Sequence, residues 1–175
     1  SIKEAARQRI SANKLVGVIW SCSELDTVPA GKAAIGYNCS SLINPGSNYR
    51  VFDDILKYVY DAGEGTGEEE EVGHQQNYKM GVLMGIMTVE SINKATEKYG
   101  NKPMSGEQVR WGIENLDLNE ARLQEMGIDG FIPAFKVSCS DHEGSAPVKF
   151  QKWNGKEFEP ASDWIATDQS IVRPM

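Results

Sequence analysis

Apolar residues along this chain recur in two rhythms. Over residues 3–12, Ala5, Ala6 and Ile10 fall on one side, which predicts a helix ended by Asn13-Lys14. Leu15-Val16-Gly17-Val18-Ile19-Trp20 is then a continuous apolar run of strand length, the pattern of a buried parallel strand. A polar loop, Ser21-Cys22-Ser23-Glu24-Leu25-Asp26, follows at the carboxyl end of that strand. Residues 35–43 alternate well enough for a second strand, and Asn44-Pro45-Gly46-Ser47 is a turn. Over 51–62, Val51, Phe52, Ile55, Leu56 and Val59 fall at helical spacing, and Gly63 stands where a helix would end.

Residues 63–71 hold three Gly and five Glu, which reads as an acidic surface loop or a linker between subdomains. The longest helix is expected over 77–98. Its first half is apolar on nearly all sides, which predicts deep burial, with Met80, Met84 and Met87 as core filler. Gly81 and Gly85 are four apart, so another backbone is expected to approach there. Ser105 and Gln108 have capping-box spacing, and a helix over 120–126 ends at Gly127. The remainder reads as strands at 135–139 and 148–153. Asn154-Gly155 signals a two-residue hairpin, with 156–164 returning. Strand–helix alternation followed by a helix-rich segment predicts an α/β fold with a change of subdomain.

Charge and composition then narrow the function. The chain has 175 residues, 40% of them hydrophobic, enough for a core without metal or disulfide staples. Eighteen Lys and Arg against 25 Asp and Glu leave a net charge of −7, which argues against nucleic-acid binding. No apolar run approaches the roughly 20 residues of a membrane span, and the start of the chain lacks the order of a secretion signal. Three cysteines, Cys22, Cys39 and Cys139, leave open one disulfide plus a free thiol or three free thiols.

The chemistry of the motifs is sparse. There is no Gly-x-Ser-x-Gly elbow, no P-loop and no dinucleotide fingerprint. Cys139-Ser140-Asp141-His142 has half of a zinc-site spacing, but its other half would need Cys22 and Cys39, and a solvated turn is the better reading. The informative constellation is Trp20-Ser21-Cys22-Ser23-Glu24, because ligands in open α/β sheets bind beyond the carboxyl ends of strands. Glu24 suits an ammonium group, Ser21 and Ser23 offer hydrogen bonds, and Trp20 can cover a ligand face. A plain polar loop with a helix cap accounts for the same spacing.

Several stretches resemble the type I periplasmic solute-binding proteins of branched-chain amino-acid-type ABC transporters. They are 18–24 with its Trp-Ser-x-Ser-Glu loop, 52–67 (FDDILKYVYDAGEGTG), 77–95 (NYKMGVLMGIMTVESINKA), 102–118 (KPMSGEQVRWGIENLDL), 137–144 (VSCSDHEG) and 148–153. The resemblance implies two Rossmann-like α/β lobes closing on a ligand, with this chain as the carboxyl-terminal half. Residues 1–73 would belong to the far lobe, 74–149 to the near lobe and 150–175 to the crossover back. It implies a ligand-binding site at Trp20, Ser21, Ser23 and Glu24, with Glu24 meeting the ligand's ammonium group and Tyr78 near the crossover. It also implies an amino-acid-like ligand, membrane permease subunits as partners, no cofactor, no catalysis and a place in the periplasm or tethered outside the cytoplasmic membrane. Half-built sheets would expose strand edges, so a homodimer or a complementary fragment is an expected partner. Two rival readings are a sensory receptor domain of the same fold and an α/β enzyme with Cys22 or Cys139 as nucleophile.

Overall fold

A computed structural model describes residues 1–144, 147–166, 168 and 171. Of the segment 150–175, positions 167, 169, 170 and 172–175 lie outside the described residues. Helix α1 (Ile2–Arg7) leads into strand β1 (Val16–Gly17), and a four-residue helix α2 (Glu24–Thr27) follows. Strand β2 (Asn38–Ser41) runs parallel to β1, with Val16 opposite Asn38 and Gly17 opposite Cys39. Helix α3 (Arg50–Ile55) continues into a wider turn at Leu56–Tyr60. Then come helix α4 (Gln76–Tyr99), helix α5 (Gly106–Ile113), strand β3 (Asp117–Leu118), helix α6 (Glu120–Met126) and strand β4 (Phe135–Lys136). Strands β5 (Lys149–Trp153) and β6 (Phe158–Pro160) complete the order.

The main sheet has the order β1-β2-β5-β6, and β3 pairs with β4 separately. Strand β5 is antiparallel to both β2 and β6, so the late strands return to the sheet begun by the first ones. Two apolar cores result. The smaller gathers Ala12, Ala34, Tyr37, Cys39, Trp153 and Phe158 around the sheet. The larger gathers Ile43, Phe52, Leu83, Leu123, Ile128, Phe131 and Val137 from the helical part. Phe131 is its aromatic hub, with ring centroids 5.0 Å from Tyr49 and 5.8 Å from Phe52.

Local signals held where they rest on backbone chemistry. The Ser105 hydroxyl accepts from the Gln108 N–H, and the Gln108 side chain accepts in return from the Ser105 N–H at 2.9 Å, the reciprocal cap of α5. Gly127 ends α6 in the left-handed region at φ 72°.

Four expectations are corrected. The apolar run at 15–20 is not a buried strand: only Val16–Gly17 pairs, Ile19–Ser21 forms a 3-10 turn, and Val16, Val18 and Trp20 are 65%, 64% and 65% exposed. The cause is topological, because β1 is the outer strand of its sheet. Helix α4 is buried on one side only, through Gln76, Lys79, Leu83, Ser91 and Ala95, while Met84 and Val89 stand exposed. Its Gly81 and Gly85 have open space where a side chain would go, and the close approach falls at Gly112 of α5 instead. The hairpin between β5 and β6 has four loop residues, not two: Trp153 pairs with Phe158, and Asn154 Oδ1 accepts from the Lys156 and Glu157 N–H groups.

A Cβ at Gly112 would overlap the Ser91 carbonyl oxygen of α4. Gly112→Ala is therefore expected to destabilise the protein by about 1–3 kcal/mol through overpacking. Thermal unfolding followed by circular dichroism reads it, and an unchanged midpoint would show that α4 and α5 can separate at no cost.

Candidate functional site

The loop after β1 is shaped by two local devices. Ser23 caps α2, its hydroxyl accepting from the Leu25 N–H at 3.2 Å, and its carbonyl accepts from the Thr27 hydroxyl. A disulfide joins Cys22 to Cys39, with 5.5 Å between their Cα atoms, so the loop is tied to β2. Cys139 is free and exposed. Of the alternatives left open by the cysteine count, one bond and one thiol is the outcome. Cys22 is thereby committed to a bond, so neither a Cys22 nucleophile nor a zinc site using Cys22 and Cys39 survives.

The side chains of the Trp-Ser-x-Ser-Glu motif diverge. Trp20 points into solvent. Ser21 donates to the Val18 carbonyl at 2.6 Å and lines an open cleft of about 690 Å³ with Ile2, Leu15, Val16, Pro29 and Tyr37. Ser23 is buried and its hydroxyl is engaged in the cap. Glu24 turns toward the first turn of α4. Its Oε2 is buried and has no hydrogen-bond partner among the described residues. Burial pushes the Glu24 carboxyl above the usual carboxylate range, while its own backbone N–H, the Lys79 ammonium, the Gln76 N–H and His74 pull it back.

The neighbours of Glu24 come from elements far apart in sequence. Lys79 is only 3% exposed, and burial pushes its ammonium below the ordinary lysine range against the opposing pull of Glu24. Gln76, 1% exposed, donates through Nε2 to the Ser41 hydroxyl at 3.1 Å, and its Oε1 has no partner among the described residues. The Ser41 hydroxyl also accepts from the Ile43 N–H at 3.1 Å. Close by in the sheet, Gln151 donates to the Ile43 carbonyl at 2.7 Å. Strand β2, the α2 start and the α4 start thus meet in one buried polar junction where the two cores adjoin.

Tyr78 stands apart from this junction in character. Its ring packs against Phe52 at 6.5 Å, and burial, then Tyr60, raise its hydroxyl above the ordinary tyrosine range. Ser41, Gln76 and Lys79 were missed by the sequence reading. The available signal was the polar Gln75-Gln76-Asn77 start of an otherwise apolar helix, with Lys79 set between Tyr78 and Met80.

The second motif of the sequence reading is an exposed turn. His142 Nε2 lies 3.2 Å from Glu114 Oε1, which also accepts from Arg110 Nε at 2.8 Å. Among the described residues, no group of three or more His, Cys, Asp and Glu could hold a metal ion, and no helix is long and apolar enough to cross a membrane.

No family model and no curated protein matches the chain. Solved structures do. One described as an ABC transporter permease, from the Pseudomonas fluorescens group, superposes with a TM-score of 0.90 and 35% identity, covering 99% of this chain and 42% of its own. A branched chain amino acid ABC transporter from Thermus thermophilus, with bound valine, matches with a TM-score of 0.70 and 20% identity over 98% of this chain and 44% of its own. An ABC transporter substrate binding protein from Aeropyrum pernix shares the fold at a TM-score of 0.61 and 14% identity, over 92% of this chain and 41% of its own. The chain spans about two fifths of each of these structures. The superpositions are nearly complete for this chain, and the chain has the fold of the type I periplasmic solute-binding proteins.

Proposed function

We propose that the whole protein is the substrate-binding component of an ABC transporter. It captures a small polar solute, an amino acid or a related organic acid or amide, between two lobes and delivers it to permease subunits. The observation that carries this reading is the Glu24 carboxylate: half-buried beyond a strand's carboxyl end, with Oε2 unpaired among the described residues, it is placed to receive an ammonium or amide N–H. Ligand binding would bias a hinge closure of the lobes, the usual device for such capture. No catalytic step is part of the proposal.

The reading includes a location. A buried disulfide is supported by an oxidising compartment such as the periplasm, or the outer side of the cytoplasmic membrane. It also includes the lobe assignment: 1–73 to the far lobe, 74–149 to the near lobe and 150–175 crossing back. Its support is that the early strands β1 and β2 share one sheet and one apolar core with the late strands β5 and β6. The exposed edge of β1 and the exposed face of α4 are taken to be covered by the rest of the whole protein, or by a second copy or complementary fragment.

Isothermal titration of the full-length protein with a panel of amino acids, amides and aromatic acids tests the proposal. Glu24→Gln is expected to weaken binding of the best solute roughly 10- to 100-fold, the size of one hydrogen bond to a charged group. A wild-type protein that binds nothing in the panel would overturn the function.

A further inference from the structure

The segment that carries Ser21, Ser23 and Glu24 is thinly attached to the rest of the molecule. Strand β1 pairs with β2 at two positions only, Val16 with Asn38 and Gly17 with Cys39. Beyond Gly17, among the described residues, the backbone hydrogen bonds of 18–27 close within the segment. The Ser21 N–H donates to the Val18 carbonyl at 2.8 Å and the Cys22 N–H to the Ile19 carbonyl at 3.2 Å. The Asp26 and Thr27 N–H groups donate to the Ser23 carbonyl at 3.1 and 3.2 Å. The side-chain bonds of Ser21, Ser23 and Thr27 are local in the same way. Apolar burial adds little, because Val18, Trp20 and Leu25 stand exposed.

The Cys22–Cys39 bond therefore carries much of the attachment. Cys22 lies between Ser21 and Ser23 and two residues before Glu24, and Cys39 lies on β2 opposite Gly17. Without the bond, a segment held so lightly samples other positions. A solute then binds only the fraction of molecules in which the segment is seated, and the apparent affinity falls by that fraction.

We infer that the Cys22–Cys39 bond is a redox gate on the site: Cys22 is a positioning residue for Glu24, and full solute affinity is reached only after a disulfide oxidant has oxidised the pair. In that step the S–S bond of the oxidant breaks and the Cys22–Cys39 bond forms. The oxidant is reduced to two thiols, which take up the two cysteine protons. A copy still in a reducing compartment holds solute weakly, and a copy that has reached an oxidising one holds it tightly. Burial of both cysteines keeps the gate set once the bond has formed. The inference rests on the solute-binding reading above.

The test uses the full-length protein carrying Cys139→Ser, which removes the exposed thiol. Three probes represent the solute classes above: L-valine, acetamide and benzoate. Calorimetric titration in the cold compares oxidised, dithiothreitol-reduced and reoxidised protein, with circular dichroism recording whether each is folded. The reduced protein is expected to stay folded and to bind the best of the three probes about 10-fold more weakly, and reoxidation is expected to restore the affinity. Cys22→Ala with Cys39→Ala is expected to match the reduced protein and to be indifferent to dithiothreitol. A bond that only stabilised the fold would leave the affinity of the folded molecules unchanged. Linkage supplies a second readout that needs no variant at Cys22 or Cys39. Saturation with the same probe is expected to shift the equilibrium with dithiothreitol toward the disulfide by the same factor, about 10-fold.

Equal affinity in the folded oxidised and reduced forms overturns the inference. So does a reduced protein that unfolds, since the bond would then staple the whole fold instead of seating one segment. An oxidised protein that binds none of the three probes overturns the solute-binding reading instead.

Discussion

Replacing both Cys22 and Cys39 by alanine is expected to lower the stability of the protein by about 3 kcal/mol. The bond closes a loop with a sequence separation of 17, and cross-linking a loop of that length removes about this much chain entropy from the unfolded state. The loop it closes holds Ser23, Glu24 and the rest of α2, and its far end is strand β2. Both cysteines are buried, at 1% and 0% exposure, so reductant is expected to reach them only after local opening. Urea unfolding of the full-length protein, wild type against variant, measures the loss. An unchanged midpoint, together with three alkylatable thiols in the wild type, would show that the bond does not form.

Phe131→Ala is expected to cost about 3–5 kcal/mol, the range for emptying a fully buried aromatic site. Phe131 is completely buried, and its ring meets Tyr49 and Phe52 edge-on. Its backbone is also committed: the Phe131 carbonyl accepts from the Asn44 N–H at 2.8 Å. The Asn44 side chain donates to the Gly130 carbonyl at 2.7 Å, so the same turn fastens the segment after β2 to the helical part. The loss is expected to appear as a lower urea midpoint, and Phe131→Leu is expected to recover more than half of it by refilling the volume. A Phe131→Ala protein as stable as wild type would mean that the larger core collapses around the gap.

What could be read from the sequence followed how local the signal was. The cap at Ser105 and the stop at Gly127 depend on a few neighbouring residues, and both are present as read. The alternation after residue 35 marked a strand, and β2 stands there at Asn38–Ser41. The motif order also carried the family, because six stretches in one order constrain a fold more than any one of them does.

The misread features share a cause. Apolar runs report which residues avoid water, not which element covers them. The run over 15–20 and the apolar start of α4 promised burial, yet β1 sits at a sheet edge and α4 packs on one side. The site shows the same limit. The loop after β1 could be located from its place after a strand, but the directions of its side chains could not. Ser21 faces the α1 side, Trp20 faces solvent, Ser23 serves the cap and Glu24 alone reaches α4.

The sequence by itself determined the α/β class, the succession of the longer elements, the caps and the place of the Glu24 loop, since these depend on residues within a turn or two of one another. The tertiary structure alone decided the Cys22–Cys39 bond, the grouping of Ser41, Gln76 and Lys79 around Glu24, and which apolar faces are covered. Those features join residues 17 to more than 100 positions apart. Side chains that distant meet only when strand pairing and helix packing bring their backbones together.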